Sequence, residues 1–397
     1  WFDNLKAQLS DNVVANLQRQ IDANKTQIQT NWNNTLKSYT KELLGIPENS
    51  VPDDAFMALL VGTNSKAYRV KVQYPNGDPA IGFTVGGITA LPTTTLVTNN
   101  DGMVLGKSNS NSPTITVAKK YDDVKAASLV VTSTGTITDA TITLEWDEST
   151  ITIASSTNKV LNNISAYCKK VAYLLVGGGG GGGGGSVSQA NMGGGGGGGG
   201  AYYSSGEASI EQNITLVATI GAGGVGSMNL ATHSPVNASN GGQTSLSIKK
   251  NDSTTLIASA NGGGRGFDGT ADGPSITSSN IYGGSGGSGF KRGGSGGGGV
   301  YRWDDDNREY EVISLNTTGS AGEASESVIF NGETKMISGG GHGGGASVTL
   351  ANPSRYGEHG AKNSNYGGGG GGTGGKNSYN ISDGYGTNGV MYLAYRH

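Results

Sequence analysis

The sequence contains nine consecutive glycines, Gly177–Gly185, followed by a run of eight, Gly193–Gly200, and later a run of six, Gly367–Gly372. A chain with no side chains over such lengths can build neither a helix face nor a two-faced strand, so it is either a flexible linker or an unusual packed structure. The flanking residues decide between these. Val171-Ala-Tyr-Leu-Leu-Val176 leads into Gly177, Leu216-Val-Ala-Thr-Ile220 into Gly221, Leu256-Ile-Ala-Ser-Ala260 into the Gly262 cluster, and Lys335-Met-Ile337 into Gly339. Gly389-Val-Met-Tyr-Leu-Ala-Tyr395 closes the chain with one more strand-like run. This rhythm of strand and glycine segment predicts ordered glycine segments. Glycine chains adopt the polyproline II conformation, with three residues per turn and about 3.1 Å rise, so nine residues give a rod of roughly 28 Å. Such a rod has no internal hydrogen bonds. Several must lie side by side and bond to one another, and only glycine lets backbones approach that closely. The strands beside the runs are expected to frame the bundle.

Of 72 glycines in 397 residues, only nine precede residue 151. That break divides the chain into residues 1–60, 66–146 and 147–397. In the first stretch, Leu5, Leu9, Val13, Leu17 and Ile21 recur every four residues, and Val14, Ile21 and Ile28 every seven. So thin an apolar stripe suits a coiled coil with Asn24 on its seam, or a surface helix of a neighbouring domain. A second helix is expected from Asn34 to Leu44, ended by Gly45 and Pro47. In the second stretch, strands are expected at 66–74, 81–88, 94–98, 103–105, 114–118, 128–133 and 137–146, with turns at Asn76-Gly77, Asn100-Asp101-Gly102 and Ser133–Gly135. Seven short strands predict a small β-sandwich. The fold class expected is therefore multidomain and mainly β: a coiled-coil helix, a sandwich, and a β-framed polyglycine II bundle.

Composition excludes several functions. The formal charge is −3, so a basic face for nucleic acid is not expected. No run reaches 18 apolar residues, so no membrane insertion by a helix is expected. Cys168 is the single cysteine, which excludes a disulfide framework or a Cys-based zinc site within one chain. Opening on Trp1 rather than on Met reads as a processed product or part of a longer protein. His233, His342, His359 and His397 show no metal-binding spacing and accompany no nucleophile motif. Gly221-Ala-Gly-Gly-Val-Gly226 follows a strand, but no helical pattern follows it, so it is not read as a dinucleotide site. No acid pair for glycoside cleavage is identifiable. Neither an enzyme nor a cofactor is expected.

Glycine rods offer no side chains, so recognition falls to the segments between them. The candidates are Tyr202 and Tyr203; Tyr301, Trp303, Asp304, Asp305, Asp306 and Tyr310; Arg355, Tyr356 and His359; and Tyr379. Aromatic rings stack on the apolar faces of sugars while polar groups read hydroxyls, and Trp, Tyr and Arg dominate binding hot spots. Asp304–Asp306 offers oxygens for calcium but lacks the spaced pattern of an EF-hand, and the strand-like runs on either side make it a hairpin tip, with no metal expected.

"VAYLLVGGGGGGGGG", "TLVATIGAGGVG", "GGQTSLSI", "ASANGGGRG" and "GTNGVMYLAYRH" resemble the glycine-rich domain of phage tail fibres and tail-tip proteins. The opening "WFDNLKAQLSDNVVANLQRQIDANK" resembles segments of tail proteins in phages of Gram-positive bacteria, and "VKVQYPNGDPAIGFTV" with "TNNDGMV" resembles immunoglobulin-like spacer modules of phage tails and bacterial surfaces. The resemblance implies a homotrimeric receptor-binding protein of a virion or tail-like particle. Its N-terminus would attach to other tail or baseplate proteins and its glycine-rich tip to a bacterial surface glycan or protein. A purely structural tail component and a surface-polysaccharide depolymerase are the alternatives.

Overall fold

The computed structural model of the chain describes residues 1–4, 13, 15–16, 18–28, 65–90, 95–134, 137–155, 158–184, 191–192, 195–212, 214–226, 238–271, 279–282, 284–295, 299–304, 309–315, 318–344, 347–348, 362–371 and 384–397. They divide into two compact units, Trp1–Trp146 and Asp147–His397. The second helix expected at Asn34–Leu44 lies outside the described residues.

In the first unit, residues 18–28 are helical and exposed throughout. Val13, Ile21 and Ile28 are more than half exposed. The β-structure begins at β1 (Lys66–Gln73), where Tyr68, Val70 and Val72 are fully buried and Arg69, Lys71 and Gln73 are not, the alternation of a strand with one covered face. One sheet has the order β3-β4-β1-β7, with β3 at Thr89–Ala90, β4 at Met103–Ser108 and β7 at Ile137–Thr143. A second has β2 (Val85–Gly86), β5 (Thr114–Val117) and β6 (Ala127–Val130). β1 pairs antiparallel with β4 and parallel with β7. Both glycine turns form as three-residue hairpin connections: Gly77 N donates to Tyr74 O and Gly102 N to Asn99 O, each at 2.9 Å, with both glycines at positive φ. The strand expected at 94–98 is reduced, over its described residues, to an isolated bridge between Thr84 and Val97. Thr98 Oγ1 accepts from Phe83 N and donates to Ala80 O, so a side chain takes over ladder positions.

The second unit is framed by two sheets. The first has the order β12-β10-β23-β8, with β8 at Ile151–Ile153, β10 at Lys170–Val176, β12 at Tyr203–Ser209 and β23 at Val390–Arg396. The other has the order β15-β14-β13-β9, with β9 at Lys159–Leu161, β13 at Thr215–Thr219, β14 at Thr244–Lys250 and β15 at Ser253–Ala260. Val171, Leu175, Met391 and Leu393 pack with Leu216, Ala218 and Leu246 in one core cluster. On the opposite face of the first sheet, Leu174, Val176 and Tyr392 pack with Phe330 and Ile337 from the hairpin β20 (Glu326–Phe330) and β21 (Glu333–Ile337). Burial on both faces explains why β10 and β23 are almost continuously apolar.

From this frame the glycine segments run out as rods, bonded with a period of three. Gly178 and Gly181 donate to Gly242 and Ser239; Gly179 and Gly182 to Thr387 and Gly384; Gly180 and Gly183 to Gly199 and Gly196. The carbonyls of Gly178, Gly179 and Gly180 accept from Gly263, Gly224 and Gly370. Segment 177–184 thus bonds six neighbouring segments, with the three-residue repeat of a polyproline II chain. Segment 195–200 does the same. Gly196, Gly197 and Gly198 donate to Phe267, Gly294 and Gly370, and their carbonyls accept from Gly183, Gly287 and Gly341. Among the described residues, the two longest glycine runs each supply a rod bonded to six neighbouring segments.

Glycine is required there by distance. A Cβ on Gly180 would lie 2.0 Å from Gly264 O, and one on Gly198 would lie 2.1 Å from Gly180 O. Outer rods carry side chains where they face away, as at Ala222 and Val225, or Ser285 and Ser288, each pair three residues apart and outward. Some rod N–H groups bond a side-chain oxygen of a neighbouring segment in place of a carbonyl. Asp268 Oδ1 accepts from Gly184 N (2.6 Å), Asn388 Oδ1 from Gly223 N (2.9 Å), Ser239 Oγ from Val225 N (2.8 Å) and Glu323 Oε2 from Arg292 N (3.0 Å).

Two stability measurements check this packing. Gly341→Ala places a Cβ 2.1 Å from Gly370 O and is expected to cost about 3 kcal/mol or more in urea unfolding. His342→Ala, at the next, exposed position of the same rod, is expected to stay within about 0.5 kcal/mol; equal effects would refute rod-to-rod packing. Asp268→Ala leaves the Gly184 N–H without its acceptor and is expected to cost about 1–3 kcal/mol.

Candidate functional site

Rod direction sorts the connecting segments between two ends of the second unit. Gly177 follows β10, and Gly184 lies at the end remote from the frame. Segment 195–200 returns from there to β12, because Gly183 bonds Gly196 and Gly180 bonds Gly199. Segment 261–269 runs outward from β15, its Gly269 N donating to Gly184 O. The next strand, β16 (Thr270–Ala271), therefore starts at the remote end. It opens a four-stranded sheet of order β16-β17-β18-β19, with β17 at Ser279–Tyr282, β18 at Gly299–Asp304 and β19 at Glu309–Leu315. A further pair at this end joins β11 (Asn191–Met192) to β22 (Ser347–Val348).

The expected hairpin around the aspartates has its two strands. β18 and β19 pair antiparallel, with Trp303 opposite Tyr310, Asp304 opposite Glu309 and Tyr301 opposite Val312. A bulge falls between Val300 and Tyr301, which increases local twist. Val-Tyr-Arg-Trp and Tyr-Glu-Val-Ile are rich in β-branched and aromatic residues, which favour strands. Asp305 and Asp306 lie outside the described residues, as do Arg355, Tyr356, His359 and Tyr379.

Tyr202 and Tyr203 stand elsewhere, where segment 195–200 enters the frame. Gly177 N donates to Tyr202 O, and Tyr202 N donates to Asn261 O. Tyr202 is 45% exposed. Tyr203 meets Phe290 edge-to-face, with centroids 5.1 Å apart, and packs on the frame core. The fold therefore keeps these two tyrosines apart from the β18–β19 hairpin, at opposite ends of the rods.

Sequence reasoning passed over the turn Phe290-Lys291-Arg292. It sits beside Tyr203 at the framed end, Phe290 N donating to Gly200 O. Lys291 Nζ lies 5.0 Å from the Phe290 ring centroid and 2.8 Å from Glu326 Oε2. The hydrogen bond to Glu326 holds the Lys291 ammonium above the usual lysine range. Interruption of a glycine-rich stretch by three large residues was the available signal. Their ion pair and ring contacts make this turn a clamp between segment 284–295 and β20, where Glu326 begins the strand.

No helix among the described residues is long and apolar enough to cross a membrane. No curated protein matches the chain. Among protein families, the glycine-rich domain matches residues 155–396. That span takes in nearly all of the second unit, from the end of β8 through the rods to β23, and the chain is accordingly a member of the glycine-rich domain family.

Proposed function

We propose that the chain is a non-enzymatic receptor-binding protein of a phage tail or tail-like particle, which attaches the particle to a polysaccharide or protein of a bacterial surface. The observation that carries this reading is the arrangement of the second unit: rods held at one end by a two-sheet frame, with the aromatic β18–β19 hairpin at the other. A rigid polyglycine II bundle suits that task, because segments already held in place lose less entropy on binding. The first unit reads as an immunoglobulin-like spacer after a coiled-coil stalk. Val13, Ile21 and Ile28, exposed in the single chain, are residues that partner helices would cover. A trimer would present three tips, and repetition around a tail would turn weak sites into firm attachment through effective concentration.

Two measurements test the proposal. Light scattering of the chain is expected to give three times its 40.2 kDa mass, falling to one chain for Val13→Ser with Ile21→Ser. A single-chain mass for the unmodified protein would remove the trimer. Labelled protein is expected to bind some strains of a Gram-positive panel and to lose that binding when residues 301–310 are replaced by a Gly-Ser loop. Intact binding after that replacement would move the site off the hairpin. Failure of assembly with normal adsorption would favour a structural tail component instead.

A further inference from the structure

In an asparagine–glycine pair the glycine nitrogen can attack the preceding side-chain amide with least hindrance, because glycine carries no side chain and turns freely. The chain holds five such pairs: Asn76-Gly77, Asn240-Gly241, Asn261-Gly262, Asn331-Gly332 and Asn388-Gly389. All five asparagines are exposed, so access to water does not sort them. Their hydrogen bonds do.

Three pairs belong to the glycine lattice. Asn240 Oδ1 accepts from Arg265 N at 2.9 Å, Asn261 Oδ1 from Gln243 Nε2 at 2.8 Å and Asn388 Oδ1 from Gly223 N at 2.9 Å. Two of the following nitrogens are bonded as well, Gly241 N to Gly263 O and Gly389 N to Gly221 O. At Gly262 the neighbouring backbone is so close that a Cβ would lie 2.0 Å from Gly241 O. Bringing any of these glycine nitrogens onto its asparagine Cγ requires a rod segment to leave its neighbours. Asn331 stands at the tip of the β20–β21 hairpin, where a Cβ on Gly332 would meet nothing within 4 Å. Its side chain is pinned by other segments: Nδ2 donates to Glu148 O (2.9 Å) and Thr150 Oγ1 (3.2 Å), and Oδ1 accepts from Arg396 Nη2 (2.8 Å).

Asn76 is held differently. Its Nδ2 donates to Asp78 Oδ2 (2.8 Å) and its Oδ1 accepts from Asp78 N (3.2 Å). Both partners belong to the same exposed turn, so these bonds open with it and disturb no other element. A Cβ on Gly77 would meet nothing within 4 Å. The rate of a reaction that needs local opening follows the population of the open form.

We infer that Asn76 is the chain's site of spontaneous deamidation, with water as co-reactant, and that the fold protects the other four Asn-Gly pairs. Gly77 N gives its proton to hydroxide and attacks Asn76 Cγ. The Cγ–Nδ2 bond breaks, and the amide nitrogen departs as ammonia. Water then opens the succinimide at either carbonyl, leaving aspartate or isoaspartate, and nothing is oxidised or reduced. The product adds a negative charge beside Asp78. As isoaspartate it also adds a backbone atom to the turn that brings Pro79 back to its bridge with Gln73. The inference is independent of the receptor-binding reading.

The test incubates the full chain in mildly alkaline buffer, native and in urea, using heavy-oxygen water so that the incoming oxygen is seen. Peptide mapping by mass spectrometry follows each pair. In urea the five pairs are expected to convert at similar rates. In the native chain Asn76 is expected to convert at least about tenfold faster than any of the others, the ratio produced by one or two hydrogen bonds of ordinary net strength. Arg396→Ala removes one bond from Asn331 and is expected to speed conversion there about threefold to tenfold while leaving Asn76 unchanged. Asn76→Gln is expected to abolish the early acidic form on anion exchange. Equal native rates at the five pairs, or faster conversion at any of the other four, overturn the inference. So does the same order of rates in urea as in the native chain, because local sequence and not the fold would then sort the pairs. An Asn331 rate unmoved by Arg396→Ala overturns the assignment of its protection to those bonds.

Discussion

A backbone N–H donating to the carbonyl of a neighbouring rod, at each residue and in three directions in turn, is the interaction on which the glycine-rich unit depends. Polyproline II chains cannot satisfy their own peptide groups, so each buried rod is stable only inside a ring of others. The ring leaves no room for a Cβ, and this single distance dictates the sequence. Among the described residues, the nine-residue and eight-residue runs form rods with six neighbours, whereas rods at the perimeter admit Ser, Ala, Val or His where they face outward.

Hydrogen bonds alone do not account for the order. Each contributes about 0.5–1.5 kcal/mol net, against a backbone entropy cost of about 1–2 kcal/mol per residue that is highest for glycine. The deficit is offset where rods join strands. β10 and β23 are buried on both faces and continue directly into or out of glycine segments, so hydrophobic burial fixes the rod ends. Buried hydroxyls complete the junction: Thr244 Oγ1 donates to Val176 O and accepts from Gly221 N, and Ser338 Oγ donates to Ala201 O.

Much of this was legible in the sequence. Apolar runs ending at glycine clusters pointed to framed rods, and Val300–Trp303 with Tyr310–Leu315 pointed to a hairpin. The parallel pairing of β1 with β7 was not legible, because it joins residues about 70 positions apart and strand patterns carry no pairing information. Nor was the reduction of 94–98, over its described residues, to a bridge, beside which the Thr98 hydroxyl bonds in place of a backbone group. The separation of Tyr202 and Tyr203 from the β18–β19 hairpin follows from rod direction, which reverses at each connection. It needed the bonding partners of Gly180 and Gly183 before any residue could be assigned to an end.

The perimeter caps have a consequence for growth of the bundle. An edge rod with open N–H groups would template further rods from other chains, much as an unpaired strand edge templates aggregation. Asn388, Ser239 and Glu323 take up N–H groups of the outer rods, those of Gly223, Val225 and Arg292, with side-chain oxygens. The lattice is thereby terminated from within its own sequence, and its cross-section is set by which residues interrupt the glycines. Connections at the remote end are free of that limit. Both ends of such a segment are already held by bonded rods, so doubling its length costs only about 0.6 kcal/mol in closure entropy. A fixed cross-section with cheaply extensible ends allows the tip to diversify in length and content while the lattice beneath it stays the same.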